Sequence, residues 1–147
     1  MIIKTGFSLA GKKQMMVDMI TIDRLRFEDL NGLKRLYDDA FEGSVTNMDR
    51  LTETYHTVKD NPHYVVLCAK SGNEIVGSVL GIICNELFGN CQPFMVLEDV
   101  AVLSSYRRQG IGQLLLQSME DHARQYHCTM ILFVSSKHRT GAHRVYE

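Results

Sequence analysis

The chain has 147 residues, of which 45% are hydrophobic and 22% charged, which suits one domain with a sizeable core and is ordinary for a globular protein. The formal net charge of −1 gives no overall attraction to nucleic acid or to an anionic membrane, and no apolar run is long enough to cross a bilayer. We therefore expect neither a nucleic-acid nor a membrane partner, and any basic site must be local.

The cysteines and histidines show no spacing typical of a metal site. The four cysteines form no CxxC pair and lie mostly in apolar runs, and the six histidines form no HExxH pattern. We interpret the cysteines as small core residues in a reducing cytosol rather than as ligands or redox centres. The sequence thus predicts a cytoplasmic protein without a metal.

The first half of the chain predicts one strand, two helices and then a two-stranded hairpin. Residues 1–18 lack the apolar core of a signal peptide, so we predict an extension of unknown order there and one domain over residues 19–147. Hydrophobic periodicity and turn residues predict the following elements: a strand over Met19–Arg26, a helix from Leu30 to about Phe41, a helix capped by Thr46 and ended by Asn61-Pro62, and a hairpin of His63–Lys70 with Glu74–Ile83.

Four residues of the second helix recur at helical spacing and predict a stripe in the core, with the lining of a substrate pocket as the alternative: Met48, Leu51, Tyr55 and Val58. Gly77 and Gly81 lie inside the second hairpin strand, where glycine indicates a bulge or the close approach of another group.

The second half is organised around Val96–Met119, in which a strand, a short polar turn and an amphipathic helix follow one another. The strand is predicted over Pro93–Leu103, and the inward face of the helix comprises Ile111, Leu114, Leu115, Met119 and Ala123. Cys128–Val134 is nearly all apolar and predicts a strand buried on both faces, parallel to its neighbour. A last helix is predicted from Gly141 to Glu147. The fold class is therefore α+β, with a mixed sheet and flanking helices.

The turn reads Arg107-Arg108-Gln109-Gly110-Ile111-Gly112. Glycines allow close approach of a ligand to the backbone, and a helix N-terminus presents unpaired N–H groups and partial positive charge. Two arginines add full charges suited to phosphate oxygens. A pyrophosphate is the ligand that this pattern favours. The same residues would also be found in a helix-capping turn whose arginines are simply solvated. The pattern is neither a Walker loop nor GxGxxG.

At this junction the chain resembles the GNAT superfamily of acyl-CoA N-acyltransferases. That family carries [Q/R]-x-x-G-x-[G/A], matched by Arg107, Gly110 and Gly112, and the preceding VAV and the terminal AHRVYE also resemble it. The resemblance implies a mostly antiparallel sheet with a splayed parallel strand pair, and acetyl-CoA as co-substrate. It implies that the strand backbone binds the pantetheine arm and that the turn binds the pyrophosphate through these residues: Val100, Ala101, Val102, Arg107, Arg108, Gln109, Gly110, Ile111, Gly112 and Gln113.

Two acids interrupt the strand before the turn. Strict alternation would place Glu98 on one face with Val96, Val100 and Val102, and Asp99 on the other face. A carboxylate buried without a partner has a raised pKa, which suits proton removal from a substrate ammonium directly or through water. We favour Glu98 as this base, with Asp99 or water as alternatives. Glu98 could instead have a structural role, holding a neighbouring arginine or backbone amide.

The resemblance also implies that Tyr146 protonates the departing CoA thiolate, since phenol and thiol pKa values lie close together. The expected activity is direct acetyl transfer to a primary amine of a small molecule or peptide; the alternative is a non-catalytic acyl-CoA-binding sensor or interaction domain. Family members continue past this point with at least one further strand, so we expect either a shortened chain or a strand supplied by a partner, and hence a homodimer.

Overall fold

The computed structural model describes residues 19–133, and the extension 1–18, the predicted last helix and Tyr146 lie outside this range. The elements, in chain order, are β1 (Ile20–Arg24), α1 (Leu30–Ala40), α2 (Met48–Val58), β2 (Tyr64–Ser71), β3 (Glu74–Cys84), β4 (Phe94–Val102), α3 (Ile111–Gln125) and β5 (Ile131–Phe133). Short 3-10 turns at Phe27–Asp29 and Ser104–Tyr106 precede α1 and follow β4. Every element predicted within the described range is present.

The five strands form one sheet in the order β1-β2-β3-β4-β5. The first four pair antiparallel with their neighbours, whereas β4 and β5 run parallel, with Met95–Leu97 opposite Ile131–Phe133. A parallel pair needs a crossover connection, and α3 supplies it. This mixed, mostly antiparallel sheet confirms the predicted fold class.

Helices cover both faces of the sheet. α1 packs on one face through buried Leu30, Leu33 and Leu36, with α2 against it. α3 packs on the other face through a stripe with a spacing of four residues, namely Ile111, Leu115, Met119 and Ala123, all buried. Leu114, predicted inward, is only half-buried, because it lies to one side of this stripe.

Two glycines of β3 allow α3 to approach the sheet closely, as predicted. A Cβ at Gly77 would lie 3.0 Å from Leu115 Cδ1 and 3.1 Å from Ile111 Cγ2, and a Cβ at Gly81 would lie 2.7 Å from Met119 Sδ. These distances are shorter than ordinary van der Waals contact. Glycine is therefore the residue that fits between β3 and α3.

Two local predictions are wrong and one holds only in part. The apolar stripe of α2 faces inward but is half-buried rather than buried: α2 lies mainly against α1, and of its four stripe residues Leu51 packs against the core. Asn47 rather than Thr46 caps α2, because the Asn47 side chain accepts a hydrogen bond from the Arg50 backbone N–H at 3.0 Å. β5 is not buried on both faces among the described residues, where Leu132 is 45% exposed.

The start of α1 is held by an ion pair across the fold. Lys70 Nζ on β2 donates to Asp29 Oδ2 at 2.8 Å, and both side chains are largely buried, with 11% and 8% exposed. The same carboxylate accepts the Arg26 backbone N–H at 2.9 Å. The pair fixes where the first helix begins on the sheet. Between residues 19 and 133, no helix has the length and apolar character needed to span a membrane.

Candidate active site

The β4–α3 turn (residues 103–110) has a backbone that two residues bend into the left-handed region. Gly110, with φ of 85°, is the N-cap of α3, and Arg108 has a φ of 60°. Glycine takes this conformation without strain, but arginine does so at a cost of about 1 kcal/mol or more. A strained non-glycine residue inside a turn is a feature often found where a ligand binds.

The turn presents a row of backbone N–H groups that make no hydrogen bond within residues 19–133. Among the described residues, the N–H groups of residues 108–113 donate no backbone hydrogen bond, and the first such bond of α3 runs from Leu114 N to Gly110 O at 3.0 Å. No side-chain oxygen caps this end of the helix. Free N–H groups at the positive end of a helix dipole bind anions.

Two arginines add charge to this surface. Arg107 and Arg108 are both exposed, and Arg107 Nε donates to Val102 O at 3.3 Å. That bond holds the Arg107 side chain back along the end of β4, while Arg108 lies beside the N-terminus of α3. The turn thus combines free N–H groups with two guanidinium groups, and these residues fit a phosphate or pyrophosphate.

Side chains from other elements fix the turn in place. Asp39, in the last turn of α1, accepts Ser104 N–H at 2.7 Å through Oδ2 and the Ser104 hydroxyl at 2.9 Å through Oδ1. On the other side, Tyr106 Oη donates to Glu74 Oε2 at 3.3 Å. Neither anchor was predicted, because no local pattern links residues so far apart in sequence.

A β-bulge in β4 changes which residues share a face. Glu98 pairs with Leu80 and Ala101 pairs with Ser78, so Asp99 and Val100 stand opposite the single residue Val79. Leu80 and Ser78 are two residues apart and lie on one face, which places Glu98 and Ala101 on that face together. The predicted grouping of Glu98 with Val102 is therefore wrong: Val102 pairs with Gly77 on the face covered by α3.

Glu98 is a half-buried residue of β4 beside the parallel strand pair. Leu97, the residue before it, pairs with Phe133, the last residue of β5 that the structure describes. Between residues 19 and 133 its carboxylate has no hydrogen bond or ion pair. Asp99 is exposed and has a φ of 52°, the conformation that the bulge imposes. The two neighbouring acids therefore have different surroundings.

A polar cluster next to the bulge, made of half-buried Tyr37 and buried Cys68 and Ser78, was missed. Burial, and next the negative charge of Asp99, raise the pKa of the Tyr37 phenol well above its ordinary value. Burial likewise raises the pKa of the Cys68 thiol to about 12. The buried Ser78 Oγ lies close enough to the Tyr37 hydroxyl and the Cys68 thiol to lower the pKa of both. Among residues 19–133, however, no atom makes a well-formed hydrogen bond with Ser78 Oγ. From the sequence, the spacing of Tyr37 indicated only an apolar position on α1.

The described residues contain no group of three His, Cys, Asp or Glu side chains that could hold a metal ion. The open space beside α3 has a mixed lining: a cavity of about 690 Å³ lies between α3 and β5, and apolar, amide and charged side chains form its walls, among them Leu97, Gln113, Leu116, Glu120 and Arg124. The cavity thus extends from the first turn of α3 to Leu97, the residue before Glu98.

The sequence model of the acetyltransferase (GNAT) family matches residues 30–147, which include the bulged strand, the turn and α3. The chain belongs to this family. It is 26% identical over 143 residues to N-alpha-acetyltransferase 60 of Xenopus tropicalis, an alignment that covers 84% of this chain and 57% of that protein. The chain thus spans little more than half the length of this curated relative.

Solved structures share the GNAT fold. A transcriptional regulator from Bacillus halodurans C-125 superposes with a TM-score of 0.77 at 24% identity, covering 86% of this chain and 89% of that one. An aminoglycoside N-acetyltransferase in complex with CoA gives a TM-score of 0.74 at 18% identity, covering 86% of this chain and 84% of that one. At these identities the likeness concerns the fold.

Proposed function

We propose that this GNAT protein is an N-acetyltransferase that moves an acetyl group from acetyl-CoA directly to a primary amine of a small molecule or peptide. The observation that carries the proposal is the β4–α3 turn, where six consecutive residues, 108–113, offer backbone N–H groups beside Arg107 and Arg108. Family membership supports acetyl-CoA as the anion-bearing co-substrate. Here residues 107–113 bind the pyrophosphate, and the backbone of Val100–Val102 binds the pantetheine arm.

The geometry of β4 suits an elongated co-substrate. Val102 is four positions after Glu98, which is at most about 13 Å of extended strand and less across the bulge. The anion-binding turn and the half-buried carboxylate thus lie at opposite ends of the same strand segment. An acyl-CoA has its pyrophosphate and its thioester at two such separated points, so the thioester would lie near Glu98.

In the proposed reaction, Glu98 accepts a proton from the substrate ammonium, directly or through water, and the amine attacks the thioester carbonyl. A backbone N–H at the bulge, such as that of Val100, stabilises the oxyanion. The nitrogen of the tetrahedral intermediate loses a proton to water, the C–S bond breaks to give the amide, and Tyr146 donates a proton to the CoA thiolate. Asp99 is the weaker candidate for the base, because its side chain is exposed on the bulge.

Acetyl-CoA binding and turnover are the first measurements. Acetyl-CoA should raise the melting temperature in a screen in which ATP and NAD do not, because a ligand that binds the native state stabilises it. Release of free thiol should then depend on the amine supplied, with peptide N-termini and small amines in the same panel. Binding without turnover of any amine would favour the non-catalytic sensor, and no binding would refute both.

Two substitutions test the roles of the proton-transfer residues. Glu98→Gln should lower kcat by roughly 10²–10⁴-fold with little change in the Kd of acetyl-CoA, whereas the matched variant Asp99→Asn should retain most of the activity. The reverse order would make Asp99 the base. Tyr146→Phe should lower turnover more than acetyl-CoA affinity, and equal turnover would remove its role as acid.

We propose further that the protein is cytoplasmic and forms a homodimer through the β5 side of its sheet, as expected from the sequence. Met130 and Leu132 are 55% and 45% exposed there in the described range, and exposed apolar residues near a sheet edge favour association. Light scattering after size exclusion should give twice the chain mass. A stable monomer at micromolar concentration would refute the dimer.

A further inference from the structure

The last turn of α1 has a charge distribution opposite to the one that a helix C-terminus favours. Asp38 and Asp39 occupy this turn, and it contains no basic residue. The C-terminus of a helix carries partial negative charge, so acids there are destabilising. Both carboxylates are nevertheless held in their ionised form, since hydrogen bonds lower the pKa of each. The groups that the two carboxylates bind must therefore explain why acids occupy this end of the helix.

Each acid binds a different segment. Asp38 accepts the Thr46 N–H at 2.7 Å and forms an ion pair with Lys34, so it closes the connection between α1 and α2. Asp39 points to another part of the chain: both of its oxygens accept hydrogen bonds from Ser104, 65 residues away. Ser104 is the first residue of the 3-10 turn that leads from β4 into the anion-binding residues.

The bond to Ser104 N–H is a backbone anchor and not merely a contact between surface side chains. Ser104–Tyr106 is followed directly by Arg107, whose N–H donates to Ser104 O at 3.5 Å. A rigid start of the turn fixes the direction in which the following residues leave β4. The charge of Arg107 also lowers the pKa of Asp39, by less than the hydrogen bonds from Ser104 do.

We propose that Asp39 is a positioning residue for acetyl-CoA: it anchors Ser104 so that Arg107 and the N–H groups of residues 108–113 are arranged for the pyrophosphate before the co-substrate arrives. This inference rests on the proposed function and extends it to α1, an element that contributes no residue to the anion-binding turn. Preorganised donors bind an anion more tightly because less ordering is needed on binding. Asp39 thus acts on the affinity for the co-substrate and not on proton transfer.

The test compares two neighbouring acids by calorimetric titration with CoA and by steady-state kinetics. Asp39→Ala should raise the Kd of CoA and the KM for acetyl-CoA roughly tenfold, the effect expected from losing charge-assisted hydrogen bonds at an exposed site. At saturating acetyl-CoA, kcat should stay within about twofold of wild type. The matched control Asp38→Ala removes an equal charge from the same helical turn and should leave the Kd of CoA within about twofold.

Conservative variants separate positioning from general stability. Asp39→Asn keeps one oxygen acceptor for Ser104 N–H and should recover a large part of the affinity, while Ser104→Ala keeps the N–H and should cause only a small loss. The effects of Asp39→Ala and Ser104→Ala on the Kd should be less than additive, because they share one contact. Should Asp39→Ala fail to fold, Asp39→Asn and Ser104→Ala should each still raise the Kd of CoA measurably, by less than tenfold, and a wild-type Kd in both would refute the positioning role.

The outcomes distinguish this inference from the proposed function. Wild-type protein that does not bind CoA refutes both. Wild-type protein that binds CoA, with Asp39→Ala binding equally well or with Asp38→Ala weakened as much as Asp39→Ala, refutes the positioning role alone. A fall in kcat at saturating acetyl-CoA with an unchanged Kd would also refute it, because that result would place Asp39 in the chemical step.

Discussion

The buried Asp29–Lys70 pair gives the sharpest test of how the scaffold is held. Lys70→Met replaces the ammonium by an apolar side chain of similar length. The Asp29 carboxylate, 8% exposed, then keeps the Arg26 N–H as its one hydrogen-bond donor within residues 19–133. An uncompensated buried charge destabilises by about 3–5 kcal/mol. At about 3 °C per kcal/mol for a domain of this size, the melting temperature should fall by roughly 9–15 °C.

The double variant Asp29→Asn/Lys70→Met tests the reasoning directly. Asparagine keeps an oxygen for the Arg26 N–H, at 2.9 Å from Asp29 in the native protein, and removes the stranded charge. The free energy of unfolding, measured by urea denaturation with far-UV circular dichroism, should therefore recover by about 2 kcal/mol or more relative to Lys70→Met. Equal or lower stability of the double variant would refute the reasoning, as would a loss below about 1 kcal/mol for Lys70→Met alone.

Two further predictions concern the face covered by α3 and the buried thiol. Gly81→Ala places a Cβ 2.7 Å from Met119 Sδ and should lower the free energy of unfolding by about 1–3 kcal/mol, measured by urea denaturation; no change would mean that α3 moves without cost. Burial raises the pKa of Cys68 to about 12, so iodoacetamide at pH 8 should alkylate exposed Cys91 before Cys68 in the native protein. Mass spectrometry that shows equal alkylation rates for the two cysteines would contradict this.

Sequence reasoning predicted the elements of this fold because their signals are local. The spacing of Ile111, Leu115 and Met119 makes one apolar stripe, and Gly72 sits in the left-handed conformation of the β2–β3 turn where the hairpin was expected. The arginines and glycines of the β4–α3 turn favoured a phosphate ligand from the same kind of local signal, and binding there stays a prediction. Each of these features depends on residues within a few positions of one another.

The features that sequence reasoning missed depend on partners far away in the chain. The bulge at Asp99 is set by the register of β4 against β3, and alternation alone could not show it. Asp29 and Lys70 are 41 residues apart, and Asp39 and Ser104 are 65 apart. α2 shows a core-like stripe, yet its burial is decided by its position against α1 and outside the sheet. Tertiary context determined these points.

The order of strands in the sheet has a consequence for how the protein folds. Each strand pairs with the strand that precedes it in the chain, from β1 to β5, so no strand must be inserted between two that are already paired. The β2–β3–β4 meander is joined by short connections and can form early, while the pair of Met95–Leu97 with Ile131–Phe133 closes a longer loop through α3. We therefore expect the cavity beside α3 to be completed last in folding and to open first in partial unfolding. Hydrogen exchange should show β5 amides exchanging ahead of those in β3.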